Sequence, residues 1–239
     1  MAKRKVEFVE NELYHICGRG VDGRTIFLDE QDYFRAIHDI YEFNDKHPTA
    51  NIRYRTPLLQ SLQFHAATPR ERLPIIEILA FTLLPNHYHL LLRQLAENGI
   101  KNFMHKLGTG YASYFNQKYQ RSGGLFQRPF KAVLVEKQAH FIHLPFYIHA
   151  NPLDLKFPTW RERKLKDPQK AMEFLENYQW SSFPDYIGKK NFPSVTQRDF
   201  LTKVIGGPKE YKKTTLELLQ EMDLGIIHDV ALEDTNATP

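Results

Sequence analysis

The run of residues 81–92 constrains the fold of this chain more than any other stretch. It is apolar on both sides of Pro85 and Asn86, a pair that favours a tight turn. The segment before the turn, residues 75–84, is apolar and rich in β-branched residues near its start, as buried strands are. The pattern therefore predicts two strands joined as a hairpin at the centre of a sheet.

His87 and His89 stand two residues apart in the second of these strands. Because successive strand side chains point to opposite faces, we expect the two histidines on one face and Tyr88 on the other, in packing. Two imidazoles on a stiff strand form half of a site for a divalent metal ion. The alternative is a pair of surface or hydrogen-bonded histidines.

Tyr147 and Asn151 form a second candidate pair, about sixty residues further on. If this segment is helical, the two side chains lie one turn apart on the same face and could both look into the metal site. In the alternative interpretation, Tyr147 is a packed aromatic and Asn151 ends the helix before Pro152. Pro145 predicts either a kink in this helix or a helix that restarts at the proline.

Composition sets broad limits on the class of protein. With 239 residues, 42% of them hydrophobic, the chain suits one globular domain with a sizeable core. A net charge of +4 permits a nucleic-acid partner without demanding one. Cys17 is the single cysteine, which excludes an intramolecular disulfide and a cysteine zinc cluster. No apolar run approaches the length of a membrane helix, and the basic N-terminal residues lack the apolar core of a signal peptide, so we expect a cytoplasmic protein.

Together, residues 84–92 and 147–152 resemble the HUH single-strand DNA transposases with one catalytic tyrosine, most closely the REP-associated tyrosine transposases. Three further stretches, within about residues 8–190, resemble the first strand, the central helix and the following turn and strand of that family. They are Tyr14-His15-Ile16 with Arg19-Gly20, Tyr114-Phe115-Asn116 with Lys118-Tyr119, and Gly124-Leu125-Phe126-Gln127 with Phe130-Lys131.

The resemblance implies an α+β fold, with a ferredoxin-like or RRM-like antiparallel sheet, helices on one face and a helical C-terminal extension. It also implies a metal-dependent strand transferase that cleaves and rejoins single-stranded, hairpin-bearing DNA through a 5′-phosphotyrosine. Tyr147 would be the nucleophile, and His87, His89 and Asn151 would be ligands of Mg²⁺ or Mn²⁺, which suit an open site without thiolates.

Two other functions remain open from the sequence. One is a domesticated, noncatalytic nucleic-acid-binding protein, and the other is a metal-dependent phosphodiester hydrolase that uses water as its nucleophile. The expected partner is single-stranded DNA with a hairpin, bound by a monomer or a homodimer that has no membrane association.

The catalytic domain is predicted over residues 1–157, with a loop insertion near 47–74, and the helical extension over 158–239. Four basic residues near glycine-containing turns are candidates for phosphate contacts. They are Arg19, Arg24, Arg128 and Lys131. The alternative for the arginines of the first turn is ordinary solvation. A further strand is predicted over residues 125–136.

Overall fold

The computed structural model describes residues 6–47, 71–127, 129–136, 138–162 and 164–221. Most of the predicted insertion near 47–74 falls outside the described residues. The same is true of Arg128 and of the last eighteen residues of the predicted extension.

The sheet contains four strands that are joined by two helices. In chain order the elements are β1 (Leu13–Arg19), α1 (Glu30–Glu42), β2 (Ile76–Leu84), β3 (His87–Gln94), α2 (Gly99–Lys118) and β4 (Lys131–Leu134). The strands lie in the order β2-β3-β1-β4, and every neighbouring pair is antiparallel. This arrangement confirms the predicted α+β class and its ferredoxin-like sheet.

Local sequence accounts for where the first elements begin and end. The hairpin of β2 and β3 turns at Pro85 and Asn86, as predicted, so that Leu84 pairs with His87. Helix α1 starts after Asp29, whose carboxylate accepts a hydrogen bond from the Asp32 N–H at 3.0 Å. This contact satisfies one of the unpaired amides at the helix start.

Strand β4 is shorter than the strand predicted over residues 125–136. Residues 125–127 instead bond to the end of β1 and the turn after it, through Val21 N–H to Leu125 O at 2.9 Å and Gln127 N–H to Arg19 O at 2.8 Å. Pro129 follows, and a proline cannot donate to a strand ladder. Regular pairing with β1 therefore resumes only at Lys131.

The first hydrophobic core lies between one face of the sheet and the helices α1 and α2. Ile16 of β1, Leu90 of β3, Ile37 of α1 and Phe103 of α2 are all fully buried in it. The apolar residues of both helices recur at helical spacing and face this core. Tyr88 points into the same core, on the opposite side of β3 from the two histidines.

The second face of the sheet is covered by later helices. They are α3 (Gln138–Ala150), α4 (Pro168–Asn177), α5 (Phe183–Tyr186), α6 (Asp199–Ile205) and α7 (Pro208–Glu221). Leu91 of β3 packs there with Ile148 of α3 and Phe183 of α5. Pro145 lies inside α3, so the interpretation in which a helix restarts at this proline is wrong.

The C-terminal region also extends the sheet at the edge of β2. The Leu83 N–H donates to Trp180 O at 2.8 Å, and the Ser182 N–H donates to Phe81 O at 3.0 Å. These contacts satisfy backbone groups of an edge strand and tie the extension to the sheet. Among the described helices, none combines the length and apolar character needed to cross a membrane.

Candidate active site

The two strand histidines lie on the sheet face opposite the first core. In the antiparallel register His87 is paired with Arg19 of β1, and His89 is paired with Cys17. Directly paired residues share a face, so Arg19 and both histidines project from the same side of the sheet. The imidazole centroids of His87 and His89 are 5.1 Å apart. The shared face is the one that strand alternation predicts.

Each of these imidazoles uses one ring nitrogen in a hydrogen bond. The His87 Nδ1 lies 2.6 Å from Asn86 Oδ1, and the His89 Nδ1 lies 2.9 Å from the Nε2 of His15. The amide oxygen can only accept, so His87 carries its proton on Nδ1 and keeps a lone pair on Nε2. A hydrogen bond on the far nitrogen is the usual way in which a metal-binding histidine is oriented.

Burial keeps these histidines uncharged at neutral pH. Desolvation, together with the positive charge of Arg19, lowers the pKa of His87 to about 4. Desolvation also lowers the pKa of His15 to about 4, and it holds the pKa of His89 well below the usual value. Neutral imidazoles have the lone pair that metal coordination requires.

Helix α3 brings Tyr147 against these histidines. The Tyr147 ring centroid lies 6.1 Å from that of His89 and 6.2 Å from that of His15, in edge-to-face geometry. The side chain is only 4% exposed. Burial raises the pKa of Tyr147, and the charge of Arg161 opposes that rise. One chain thus holds the candidate nucleophile next to the candidate metal-binding face.

Asn151 is fully buried, and its amide makes three hydrogen bonds. Helix α3 ends at Ala150, and the Asn151 Nδ2 donates back to Tyr147 O at 2.7 Å and to Ile148 O at 3.5 Å. This is the helix-ending role of the alternative interpretation. Its Oδ1 accepts from Arg161 at 2.8 Å, which leaves one lone pair of that oxygen for a metal ion.

Arg161 and Asp154 were not predicted as site residues. Asp154 accepts from the Arg161 Nε at 2.8 Å and from its Nη2 at 2.7 Å, while the Arg161 Nη1 donates to the Tyr147 hydroxyl at 3.2 Å. In the sequence Arg161 is one of several basic residues in a charged run, and no spacing connects it to Tyr147. Only the fold brings the two together.

The described side chains supply some of the ligands that a divalent ion needs. Two neutral imidazoles on one strand face and an amide oxygen are suitable ligands for such an ion. No group of three or more His, Cys, Asp or Glu side chains that could hold a metal ion is found in the part of the chain that the structure describes. A complete coordination sphere would therefore need Asn151, water or substrate oxygens in addition to the two histidines.

The predicted phosphate-binding residues occupy different places. Lys131 of β4 pairs with Cys17, which puts it on the same sheet face as Arg19 and the histidines. Arg24 lies in the turn after β1, 3.7 Å from Asp22, and its Nε donates to Val21 O. Arg128 lies outside the described residues. The structure therefore brings Arg19 and Lys131 together on the active-site face.

His149 and Tyr88 both have structural surroundings, which for Tyr88 is the predicted outcome. His149 is fully buried, with its Nδ1 2.7 Å from the Tyr211 hydroxyl and its Nε2 2.7 Å from Ser182 Oγ. Tyr88 is buried against Phe126, and desolvation raises its pKa. Neither side chain faces the histidine pair.

Comparisons with known proteins find a family model that covers part of this site. Residues 71–151 match the family model described as transposase, IS200 like. No curated protein matches the chain. A solved structure described as a REP-associated tyrosine transposase bound to a REP hairpin aligns over 83% of this chain and 93% of that chain, at 13% identity and a TM-score of 0.49.

The matched segment contains the histidine pair of β3 together with Tyr147 and Asn151. These are the residues on which the resemblance to single-tyrosine enzymes depends. Residues 71–151, about a third of the chain, are therefore similar to the IS200-like transposases.

Proposed function

We propose that this protein is a transposase that cleaves and rejoins single-stranded DNA beside a hairpin, with Tyr147 as the nucleophile. The observation that carries the proposal is the position of Tyr147, whose ring centroid lies 6.1 Å from that of His89 within the same chain. The family match over residues 71–151 supports DNA strand exchange as the type of reaction. Hairpin DNA is proposed because residues 84–92 and 147–152 resemble the REP-associated tyrosine transposases.

The reaction would be a transesterification. The Tyr147 oxygen forms a bond to phosphorus, the P–O3′ bond breaks, and the phenolic proton passes through water to the departing 3′ oxygen. The products are a 5′-phosphotyrosine and a free 3′-OH, and the reverse of the same step rejoins the strand. One ester is exchanged for another, so no ATP is required.

A divalent ion, Mg²⁺ or Mn²⁺, would supply charge stabilisation of the phosphate and of the leaving oxygen. His87 and His89 would hold it through their Nε2 atoms, and Asn151 would add the remaining lone pair of its amide oxygen. The hydrogen bonds of both histidines to Asn86 and His15 fix the ring orientations that this role needs.

The protein's own charges would bind the DNA strand. Arg19 and Lys131 lie on the same sheet face as the histidines, where they can contact phosphates on either side of the reacting one. We expect hairpin-bearing single strands to bind better than the matching duplex, because an unpaired strand can bend toward the sheet and stack on aromatic side chains.

The test is a gel assay for a covalent adduct between the protein and a labelled, hairpin-bearing single strand. Tyr147→Phe should abolish the adduct and leave DNA binding nearly unchanged, because it removes one hydroxyl. Tyr88→Phe is the matched control, since that ring faces the opposite core. Binding without any cleavage would indicate the noncatalytic alternative, and cleavage without an adduct would indicate a hydrolase.

A further inference from the structure

Arg161 contacts the site from beyond the segment that matches the family. The match ends at Asn151, whereas the guanidinium of Arg161 reaches back to donate to the Tyr147 hydroxyl at 3.2 Å and to Asn151 Oδ1 at 2.8 Å. One side chain thus connects the proposed nucleophile with a proposed metal ligand.

The guanidinium is held in place from its other side. Asp154 accepts from two of its nitrogens, and the Asp154 carboxylate is itself fixed by the Trp160 Nε1 at 2.6 Å. The guanidinium carbon also lies 4.6 Å from the Trp160 ring centroid. A guanidinium that is held by a carboxylate on two nitrogens is preorganised, so its remaining N–H groups are directed at Tyr147 and Asn151.

A surface ion pair would explain the Asp154 contact and nothing more. The side chain of Arg161 is only 23% exposed. Its other N–H groups donate to the Tyr147 oxygen, which is the atom that the proposed reaction changes, and to the Asn151 amide oxygen. The Tyr147 oxygen becomes more negative as its proton leaves, and it becomes negative again when the strand is rejoined and the phosphotyrosine bond breaks.

We propose that Arg161 is a catalytic residue of this transposase, which positions the Tyr147 oxygen and stabilises negative charge on it in both cleavage and rejoining. This inference rests on the proposed function, because it requires Tyr147 to be the reacting group. Asp154 is then a positioning residue that acts through Arg161. The part of the chain that follows residue 151 consequently supplies part of the catalytic apparatus.

The experiment compares Arg161→Met and Arg161→Lys with wild type, in single-turnover adduct formation and in DNA affinity. Removing one preorganised donor should lower the adduct rate roughly 100-fold in Arg161→Met. DNA affinity should change no more than a few-fold, and Arg161→Lys should keep part of the rate because it keeps the charge. Lys164→Met is the matched control, since Lys164 is an exposed cation of the same segment that pairs with Glu162.

Chemical rescue separates catalysis from a purely structural role. Low concentrations of guanidinium should restore part of the adduct rate of Arg161→Ala and should not affect Lys164→Met. Asp154→Asn should lower the rate less than Arg161→Met, because the guanidinium loses the charge of its Asp154 partner but keeps its own N–H donors. A loss of rate that follows thermal stability, and that neither lysine nor guanidinium restores, would overturn the inference.

Tyr147→Phe keeps this test separate from that of the proposed function. If Tyr147→Phe is inactive and Arg161→Met retains the full adduct rate, the role of Arg161 is refuted and the nucleophile assignment stands. If Tyr147→Phe still forms the adduct, the proposed function itself fails.

Discussion

His149 makes the stability of this protein depend on pH in a way that can be calculated. It lies in α3 between Tyr147 and Asn151, it is fully buried, and both ring nitrogens are hydrogen-bonded to hydroxyls. Burial lowers its pKa from 6.5 in the unfolded chain to about 3 in the fold. Between these values the unfolded chain binds a proton that the folded chain excludes, so the free energy of unfolding falls as the pH falls.

The size of the effect follows from the linkage relation. One proton gives a slope that approaches about 1.4 kcal/mol per pH unit below the unfolded pKa, and the integrated effect is about 2 kcal/mol between about pH 7 and about pH 5. We expect His149→Gln to be less stable than wild type near pH 7, because glutamine fits the two hydroxyls less well. The stability difference between the two proteins should then shrink by about 2 kcal/mol at about pH 5.

Urea unfolding followed by tryptophan fluorescence at several pH values measures this difference. His15, His87 and His89 also have lowered pKa values, but they are present in both proteins and cancel in the comparison. A stability difference that stays constant from about pH 7 to about pH 5 would refute the reasoning, since His149 would then be protonated equally in both states.

Three further predictions concern the site. Mixing inactive Tyr147→Phe with inactive His89→Ala should restore no adduct formation, because one chain supplies both groups; restored activity would show that the tyrosine acts in trans. His87→Ala should abolish divalent-ion binding in calorimetry without DNA present, and unchanged binding would exclude the histidine site. Neutralising Arg19 and Lys131 together should weaken DNA binding and lower the slope of log affinity against log salt between roughly 50 and 200 mM by about 1.4; an unchanged slope would show that these two residues do not contact the phosphates.

The sequence was sufficient for features that depend on local periodicity. The hairpin around Pro85, the shared face of His87 and His89 and the inward direction of Tyr88 all follow from strand alternation, which needs no distant contact. The N-cap contact of Asp29 is equally local, because its side chain bonds to a backbone amide three residues along the chain. The ferredoxin-like form of the sheet was implied by the family resemblance and not by these local patterns.

Predictions from local sequence patterns failed or were incomplete where a tertiary contact changed the local structure. The strand predicted over 125–136 is shortened because residues 125–127 bond to β1 and to the turn after it, next to a proline. Helical spacing predicts that Asn151 faces the metal site together with Tyr147. In the structure its Nδ2 donates to the last turn of α3, and its Oδ1 accepts a hydrogen bond from Arg161. Helical spacing gives the direction of a side chain, but it does not say which partner lies there.

Only the tertiary structure decided which residues surround Tyr147. Arg161 is fourteen positions from Tyr147 in the sequence, and His15 and His89 lie on strands that precede Tyr147 by more than fifty residues. Arg19 and Lys131 likewise share a face only because β1 pairs with both β3 and β4. Periodicity fixes the direction of each side chain within its own element, whereas the packing of elements against one sheet determines which of those side chains meet.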